Sequence, residues 1–294
     1  MKNLPQVRGI YRFDAELKNW FNVPAKAEIL FRPKDILDLQ EFLQKKPEEI
    51  PLTILGAASN VIIKEGGIKG VVIRLGGEFS QVSCENNFLK VGAAALCGNA
   101  AIYAKNAAIE NLEFLTGIPG SIGGAIAMNA GCYGSDISQI LISAKAIDFA
   151  GNIIELTNSD FGFFYRGSKI TKNLIFIEAI FEGKHSSSEA IAKKIADLNL
   201  KREAAQPIRA KTGGSTFKNP EPLNSLAKKA WQLIDEAGCR GLREGDAQIS
   251  EKHCNFMINQ GNASAQNLID LGNKVQKLVK EKSGIDLEWE IKIL

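Results

Sequence analysis

The stretch "GIPGSIGGAIAMNAGCYG", from Gly117 to Gly134, carries six glycines and no charge over eighteen positions, in a chain where 23% of residues are Asp, Glu, Lys or Arg. Glycine lets a backbone take φ > 0 and lets a ligand approach closely, so a run of small residues can present several N–H groups to one anion. A second loop of this kind, "LGAASN" (Leu55 to Asn60), lies upstream. Both add Ser or Asn hydrogen-bonders to exposed backbone, which suits a pyrophosphate held between them. The same letters also fit two tight turns and a close-packed glycine helix. Neither loop is G-x-G-x-x-G or G-x-x-x-x-G-K-[ST], so a Rossmann or P-loop reading has no support.

The 294 residues, 45% hydrophobic, are enough for roughly two domains with real cores. The formal charge is 36 − 33 = +3 with acids and bases interspersed, which points away from a nucleic-acid stripe or a polybasic membrane patch and toward a small-molecule partner. The opening "MKNLPQVRGIYRFDAELKNW" has no continuous apolar core, and no apolar run approaches the ~20 residues that span a bilayer. We expect a cytoplasmic protein with no membrane contact and no obligate protein partner. Five cysteines form an odd set without a C-x-x-C pair, so free thiols are expected. Two histidines, His185 and His253, leave little room for histidine-based metal or triad chemistry, and no metal is expected.

Along the chain, "AEILFRP" reads as a strand and "KDILDLQEFLQKK" as an amphipathic helix with Ile36, Leu37, Leu39 and Phe42 on one face. "PLTILGAASNVII" is strand, turn, strand, and "GGIKGVVIRL" and "FLKVGAAAL" extend the β signal. "CGNAAIYAKNAAI" is a small-residue helix. "ILISAKAID", "GNIIELT" and "NLIFIEAIFE" are further strands, so the first ~185 residues are α+β. The charged helix in "KHSSSEAIAKKIADLNLKREAAQP", ended by Pro207, marks a domain boundary. Beyond it come "TGGSTFKNP", a helix "SLAKKAWQLIDEAGC", the strand "NFMIN", a long helix "ASAQNLIDLGNKVQKLVKEKSG" and a terminal strand "DLEWEIKIL".

Three polar residues stand out. Arg166 follows aromatic residues in "FFYRGSK", where a guanidinium resting on an apolar wall clamps a carboxylate or phosphate in bidentate fashion; an ordinary surface arginine fits the letters as well. Ser215 follows two glycines in "KTGGSTFKNP", a tight loop that exposes a hydroxyl or simply caps a turn; without G-x-S-x-G or a histidine partner it is no hydrolase nucleophile. Glu290 lies in the terminal strand, opposite Leu287, Trp289, Ile291 and Ile293, as either a solvated charge or an acid aimed into a cleft. His253 reads as structural.

Taken in order, "LEFLTGIPGSIGGAIAMNAGCYG", "FYRGS", "GGSTFKNP" and "AWQLIDEAGCRGLREGDAQISEKHCNFMIN" resemble the UDP-N-acetylenolpyruvoylglucosamine reductase (UDP-N-acetylmuramate dehydrogenase) family of bacterial flavoenzymes, over most of the chain. The resemblance implies an α+β fold, with a vanillyl-alcohol-oxidase-type FAD-binding domain of two lobes and a C-terminal α+β substrate-binding domain. That places the FAD domain at 1–187, with lobes of about 1–70 and 71–187, and the substrate domain at 188–294. The implied cofactors are non-covalent FAD and NADPH; the implied partner is a UDP-sugar, the enolpyruvyl ether reduced to the lactyl ether for peptidoglycan.

By the same resemblance Leu55, Gly56, Ala57, Ala58, Ser59 and Asn60 contact FAD from the first loop. Gly117, Ile118, Pro119, Gly120, Ser121, Gly123, Gly124, Asn129, Ala130 and Gly131 contact it from the second. Ser215 matches the proton donor, Arg166 the arginine that polarises the substrate carboxylate, and Glu290 the assisting glutamate. Tyr165, Lys218 and Asn219 join Arg166 and Ser215 in binding substrate, with Asn219 near its diphosphate. Hydride addition to an unsaturated acid drives charge onto the carboxylate, which a fixed cation stabilises more in the transition state than in the ground state. A serine is a weak acid, but a strongly basic carbon accepts its proton when the hydroxyl is well placed.

The chain also departs from the family. It reads "FNVPAKAEI" where a paired glycine often stands, and Ala58 occupies a position that is commonly glycine. Only 48 residues separate Arg166 from Ser215, as in a shorter subclass without an inserted tyrosine-bearing loop. Alternatives are another FAD oxidoreductase of the same fold with a different acceptor, and a nucleotide-sugar binding protein without chemistry.

Overall fold

The computed structural model describes residues 4–171, 173–222, 225 and 227–294. The chain divides into two compact units: one of residues 1–14, 28–57 and 69–200, the other of residues 15–27, 58–68 and 201–294.

Two sheets build the first unit. One holds, in spatial order, Ile10–Glu16, Lys26–Arg32, Ile68–Ile73 and Leu52–Ile54, the last two parallel. The helix Ile36–Lys45 packs Leu39, Phe42 and Leu43 onto it, beside Phe31 and Ile73, and its N-cap Asp35 accepts the Asp38 amide at 2.9 Å. The other sheet runs Ile153–Thr157, Leu141–Asp148, Leu174–Glu182, Phe88–Gly92 and Val82–Glu85, antiparallel throughout. Its central strand buries alternate residues, Ile175, Ile177, Ala179 and Phe181, as a period of two requires. The helices Cys97–Asn106 and Ile122–Ala127 close one core on this sheet with Ala100, Ala101, Ala104, Ala125 and Ile126. These small residues let the helices lie close, and the central part of the uncharged stretch is one of them.

The second unit is a four-stranded sheet ordered Lys211–Ser215, Phe256–Asn259, Ala247–Ile249 and Arg243–Glu244, covered by the helix Ala265–Ser283. Ser264 caps that helix and Gly284 ends it at φ +76°. Short parallel strands Val61–Ile62 and Lys292–Ile293 join the C-terminus to the stretch after the first glycine loop.

Three sequence expectations change. Strands Ile10–Glu16 and Val82–Glu85 form where none was read. The helix expected from Ser225 to Cys239 is regular only over Ala230–Glu236; Leu226, within the expected start, lies outside the described residues. The terminal strand shrinks to Lys292–Ile293 plus a bridge from Trp289 to Phe217, because the chain there is anchored by side chains and separate bridges instead of one ladder. All five cysteines are free thiols; burial pushes Cys97 up to about 12 and Cys254 up to about 11.

Candidate active site

In the first unit, Leu55–Ala57 and Ser121, Gly123 and Gly124 line one cavity of about 260 Å³, so halves of both glycine loops meet there. Their approach depends on missing side chains. A Cβ on Gly56 would lie 2.4 Å from Ser121 Oγ, and one on Gly123 would lie 3.1 Å from Ala93 Cβ. Ser121 stands at an N-cap position but accepts no amide there, which leaves its hydroxyl at the cavity wall. Among the described residues, the Gly56 and Ala57 amides have no protein acceptor. Ile54, Ala127, Leu174 and Phe176 make the wall apolar and extend it into a second cavity of about 300 Å³ with Ser168 and Asn173.

The remaining second-loop residues sit elsewhere in this unit. Gly117 packs on Cys132, whose thiol donates to the Phe114 carbonyl at 3.2 Å. Asn129, at φ +43°, donates to the Phe164 carbonyl at 3.1 Å and accepts the Ser138 amide at 3.0 Å. It thereby fastens the turn Phe164–Gly167, closed by reciprocal backbone bonds of 3.0 and 3.1 Å. Arg166 projects from this turn at φ +57°. Its guanidinium donates to the Gly131 carbonyl at 2.9 Å and lies 5.0 Å from the centre of the Tyr165 ring. A left-handed arginine is strained, and such strain persists where the surroundings over-determine it. Gly131, Asn129 and Tyr165 do so here.

In the second unit the two glycines before Ser215 have separate reasons. A Cβ on Gly213 would strike the Phe21 ring at 2.5 Å, and Gly214 is left-handed at φ +82°. Between Thr212 and Ser215 the register against Phe256–Asn259 shifts, so Ser215 faces Phe256. The half-buried Ser215 hydroxyl has no hydrogen-bond partner among the described residues. Immediately after it, Thr216 accepts the Glu290 amide at 2.9 Å, and Lys218 donates its amide to Glu288 at 2.8 Å. The Asn255 side chain clasps the Phe217 backbone, its Oδ1 accepting the Phe217 amide at 3.0 Å and its Nδ2 donating to the Phe217 carbonyl at 2.8 Å. Ser215 and Glu290 are therefore brought together on neighbouring segments. Asn60 belongs with them: its side chain donates to the Glu290 carbonyl at 3.0 Å, and its own carbonyl accepts the Lys292 amide at 3.1 Å. Lys218 pairs with Glu288 at 3.2 Å, and Asn219 accepts the Ala230 amide at 3.1 Å. His253 is structural: its Nδ1 accepts the Asn255 amide at 3.2 Å, and burial lowers its pKa.

Comparison with known proteins decides the family. Residues 206–294 match the UDP-N-acetylenolpyruvoylglucosamine reductase C-terminal domain, and residues 27–157 match an FAD binding domain. A UDP-N-acetylenolpyruvoylglucosamine reductase from Rickettsia bellii (strain RML369-C) is 50% identical over 99% of this chain and 95% of its own length. The chain belongs to the UDP-N-acetylenolpyruvoylglucosamine reductase family. The reductase of that name from Rickettsia prowazekii (strain Madrid E) is 48% identical, covering 99% of this chain and 98% of the relative. The crystal structure of UDP-N-acetylenolpyruvylglucosamine reductase from Thermus caldophilus superposes with a TM-score of 0.83 at 30% identity, over 98% of this chain and 99% of that one.

As a member of the UDP-N-acetylenolpyruvoylglucosamine reductase family the protein is an FAD-dependent oxidoreductase with an α+β fold. The first unit fits that cofactor: its cavity combines unengaged amides, a free-standing serine hydroxyl and an apolar wall, the donor set a diphosphate and an aromatic ring system need. Reading the sequence for this family missed Arg74, Leu174 and Phe176 in that wall. Arg74 left a trace, a lone charge inside the apolar run "VVIRL". No helix among the described residues is long and apolar enough to cross a membrane, and no cluster of metal-ligating side chains occurs among them.

Proposed function

We propose that the chain catalyses reduction of UDP-N-acetylglucosamine enolpyruvate to UDP-N-acetylmuramate with NADPH, in the cytoplasm, as a step of peptidoglycan precursor synthesis. Held by the Gly56 and Ala57 amides and the Ser121 hydroxyl, FAD would supply the hydride chemistry that links the nicotinamide to the enolpyruvyl double bond. The chain's own residues then have three tasks. Arg166, held on Tyr165, faces the substrate carboxylate and stabilises the charge that grows there. Ser215 delivers its Oγ proton to the carbon that becomes carbanionic. Glu290 assists that transfer, and its carboxyl works protonated or beside a cation, since like charges repel. On this reading 1–187 serves as the cofactor domain and 188–294 as the substrate domain, with Lys218 and Asn219 on the UDP side; the compact units part further on, between Leu200 and Lys201, and residues 15–27 and 58–68 go with the second.

The observation that supports this reading is the backbone bond from the Glu290 amide to Thr216, the chain neighbour of a serine whose hydroxyl has no partner among the described residues. A proton donor needs that freedom, whereas a turn-capping serine would have its Oγ bonded to backbone. Anaerobic stopped-flow absorbance tests the proposal: NADPH should bleach the flavin, and UDP-N-acetylglucosamine enolpyruvate should restore the oxidised band. A flavin that stays reduced until oxygen enters would refute the substrate assignment.

A further inference from the structure

Arg74 lies in the wall of the cavity that the two glycine loops share, and its backbone amide donates to the Phe31 carbonyl at 3.0 Å. It is half-buried, and among the described residues no carboxylate pairs with its guanidinium. Burial lowers its pKa, and the charge of Arg32, of the same sign, adds to that. Among the described residues no acid lines the cavity. A guanidinium partly withdrawn from water beside a like charge is unfavourable unless an anion completes the site. Its surroundings select the anion: among the described residues the Gly56 and Ala57 amides and the Ser121 hydroxyl are donors without partners in the same cavity. An arginine fork matches phosphate oxygens in bidentate fashion, and a diphosphate offers enough oxygens for fork, amides and hydroxyl together.

We propose that Arg74 is the cationic binding residue for the diphosphate of FAD, the one full charge in a cradle otherwise made of backbone amides and a serine. The inference rests on the FAD reading of this cavity. It gives Arg74 a role in holding cofactor and none in the hydride or proton steps.

The test is flavin fluorescence titration of apoprotein with FAD, for wild type, Arg74→Met and Arg74→Lys, across a series of KCl concentrations. Arg74→Met should raise the FAD Kd at least tenfold and flatten its dependence on salt, with Arg74→Lys in between. An unchanged Kd overturns the proposal, and so does a weaker Kd with an unchanged salt slope, which would mean a packing role. Unchanged FAD affinity with a lost preference for NADPH over NADH would also overturn it, by assigning Arg74 to the nicotinamide cofactor's 2′-phosphate. If the methionine variant does not fold, phenylglyoxal labelling of wild-type apoprotein decides. ADP should protect the Arg74 peptide and adenosine should not; equal protection or none sinks the idea. Failure of wild-type apoprotein to bind any FAD would instead defeat the reading of the cavity itself.

Discussion

The side chain of Asn60 donates to the backbone carbonyl of Glu290 at 3.0 Å, across 230 positions of sequence. The last residue of the first glycine loop thus holds the segment that carries the glutamate, and the adjoining strands Val61–Ile62 and Lys292–Ile293 continue the attachment. Removing the amide leaves a part-buried carbonyl short of a donor, worth about 1–3 kcal/mol. Asn60→Ala should therefore lower stability in urea by about that much. It should also slow reoxidation of the reduced flavin by substrate roughly tenfold or more, because Glu290 loses its placement. Equal rates in both half-reactions before and after mutation would show that Glu290 needs no such tether.

Ser215 gives a cleaner separation. If its hydroxyl supplies the proton, Ser215→Ala should leave reduction of the flavin by NADPH unchanged and slow reoxidation by substrate about 10²–10⁴-fold, the range for a lost general acid. Stopped-flow absorbance reads both steps on one sample. Because the Ser215 hydroxyl has no protein partner among the described residues, the variant should melt within a degree or two of wild type. Normal reoxidation in Ser215→Ala would remove the proton-donor role.

Ala58 shows how far sequence reasoning reached and where it stopped. Its place in a commonly glycine position was visible in "LGAASN", and the reason is that it is left-handed at φ +53° while almost fully buried. Strands such as Leu174–Glu182 were legible because alternate burial writes itself into a period of two. Ile10–Glu16 was not, since its buried residue is Ala15 while Ile10 and Phe13 are exposed, which hides the alternation. The Asn60 tether was invisible for a different reason: no local pattern encodes a contact between distant segments. Arg166 beside aromatic residues was readable, but not its left-handed turn or the Asn129 brace. Relief of αL strain, about 1–2 kcal/mol, should offset the lost methyl, so Ala58→Gly should stay within about 0.5 kcal/mol of wild type. Ala101→Gly, in the regular helix Cys97–Asn106 and equally buried, should cost about 1 kcal/mol or more. Chemical denaturation of both variants makes the comparison, and equal losses would contradict the strain.

His253 predicts a pH dependence. Burial among Trp231 and Phe256 lowers its pKa in the folded state, with Arg240 contributing less, while the unfolded chain titrates near 6.5. As pH falls through 6.5 the unfolded state takes the proton first, so the stability His253 contributes is full above that value and declines until the folded pKa is passed. His253→Asn keeps an acceptor for the Asn255 amide without titrating in this range. Between pH 7 and 5 the wild type should lose more stability than this variant. Parallel losses would mean that the histidine is not buried neutral.

Gly272 sits inside the helix Ala265–Ser283, where alanine would ordinarily favour helix by about 1 kcal/mol. A Cβ there would lie 2.0 Å from Trp289 Cη2, so the glycine is the seat of the indole. Trp289 in turn packs on Phe217, ring centres 5.1 Å apart, and directly precedes Glu290. Overpacking of this kind outweighs helix propensity, with a typical cost of 1–3 kcal/mol. Gly272→Ala should thus be destabilised by about that amount in urea, and its oxidative half-reaction should slow while reduction by NADPH is spared. The two effects share one cause, displacement of the indole that positions both Phe217, two residues after Ser215, and Glu290. A variant as stable as wild type would show that the helix accommodates the methyl by shifting as a body, and the coupling from Gly272 to the glutamate would then fail.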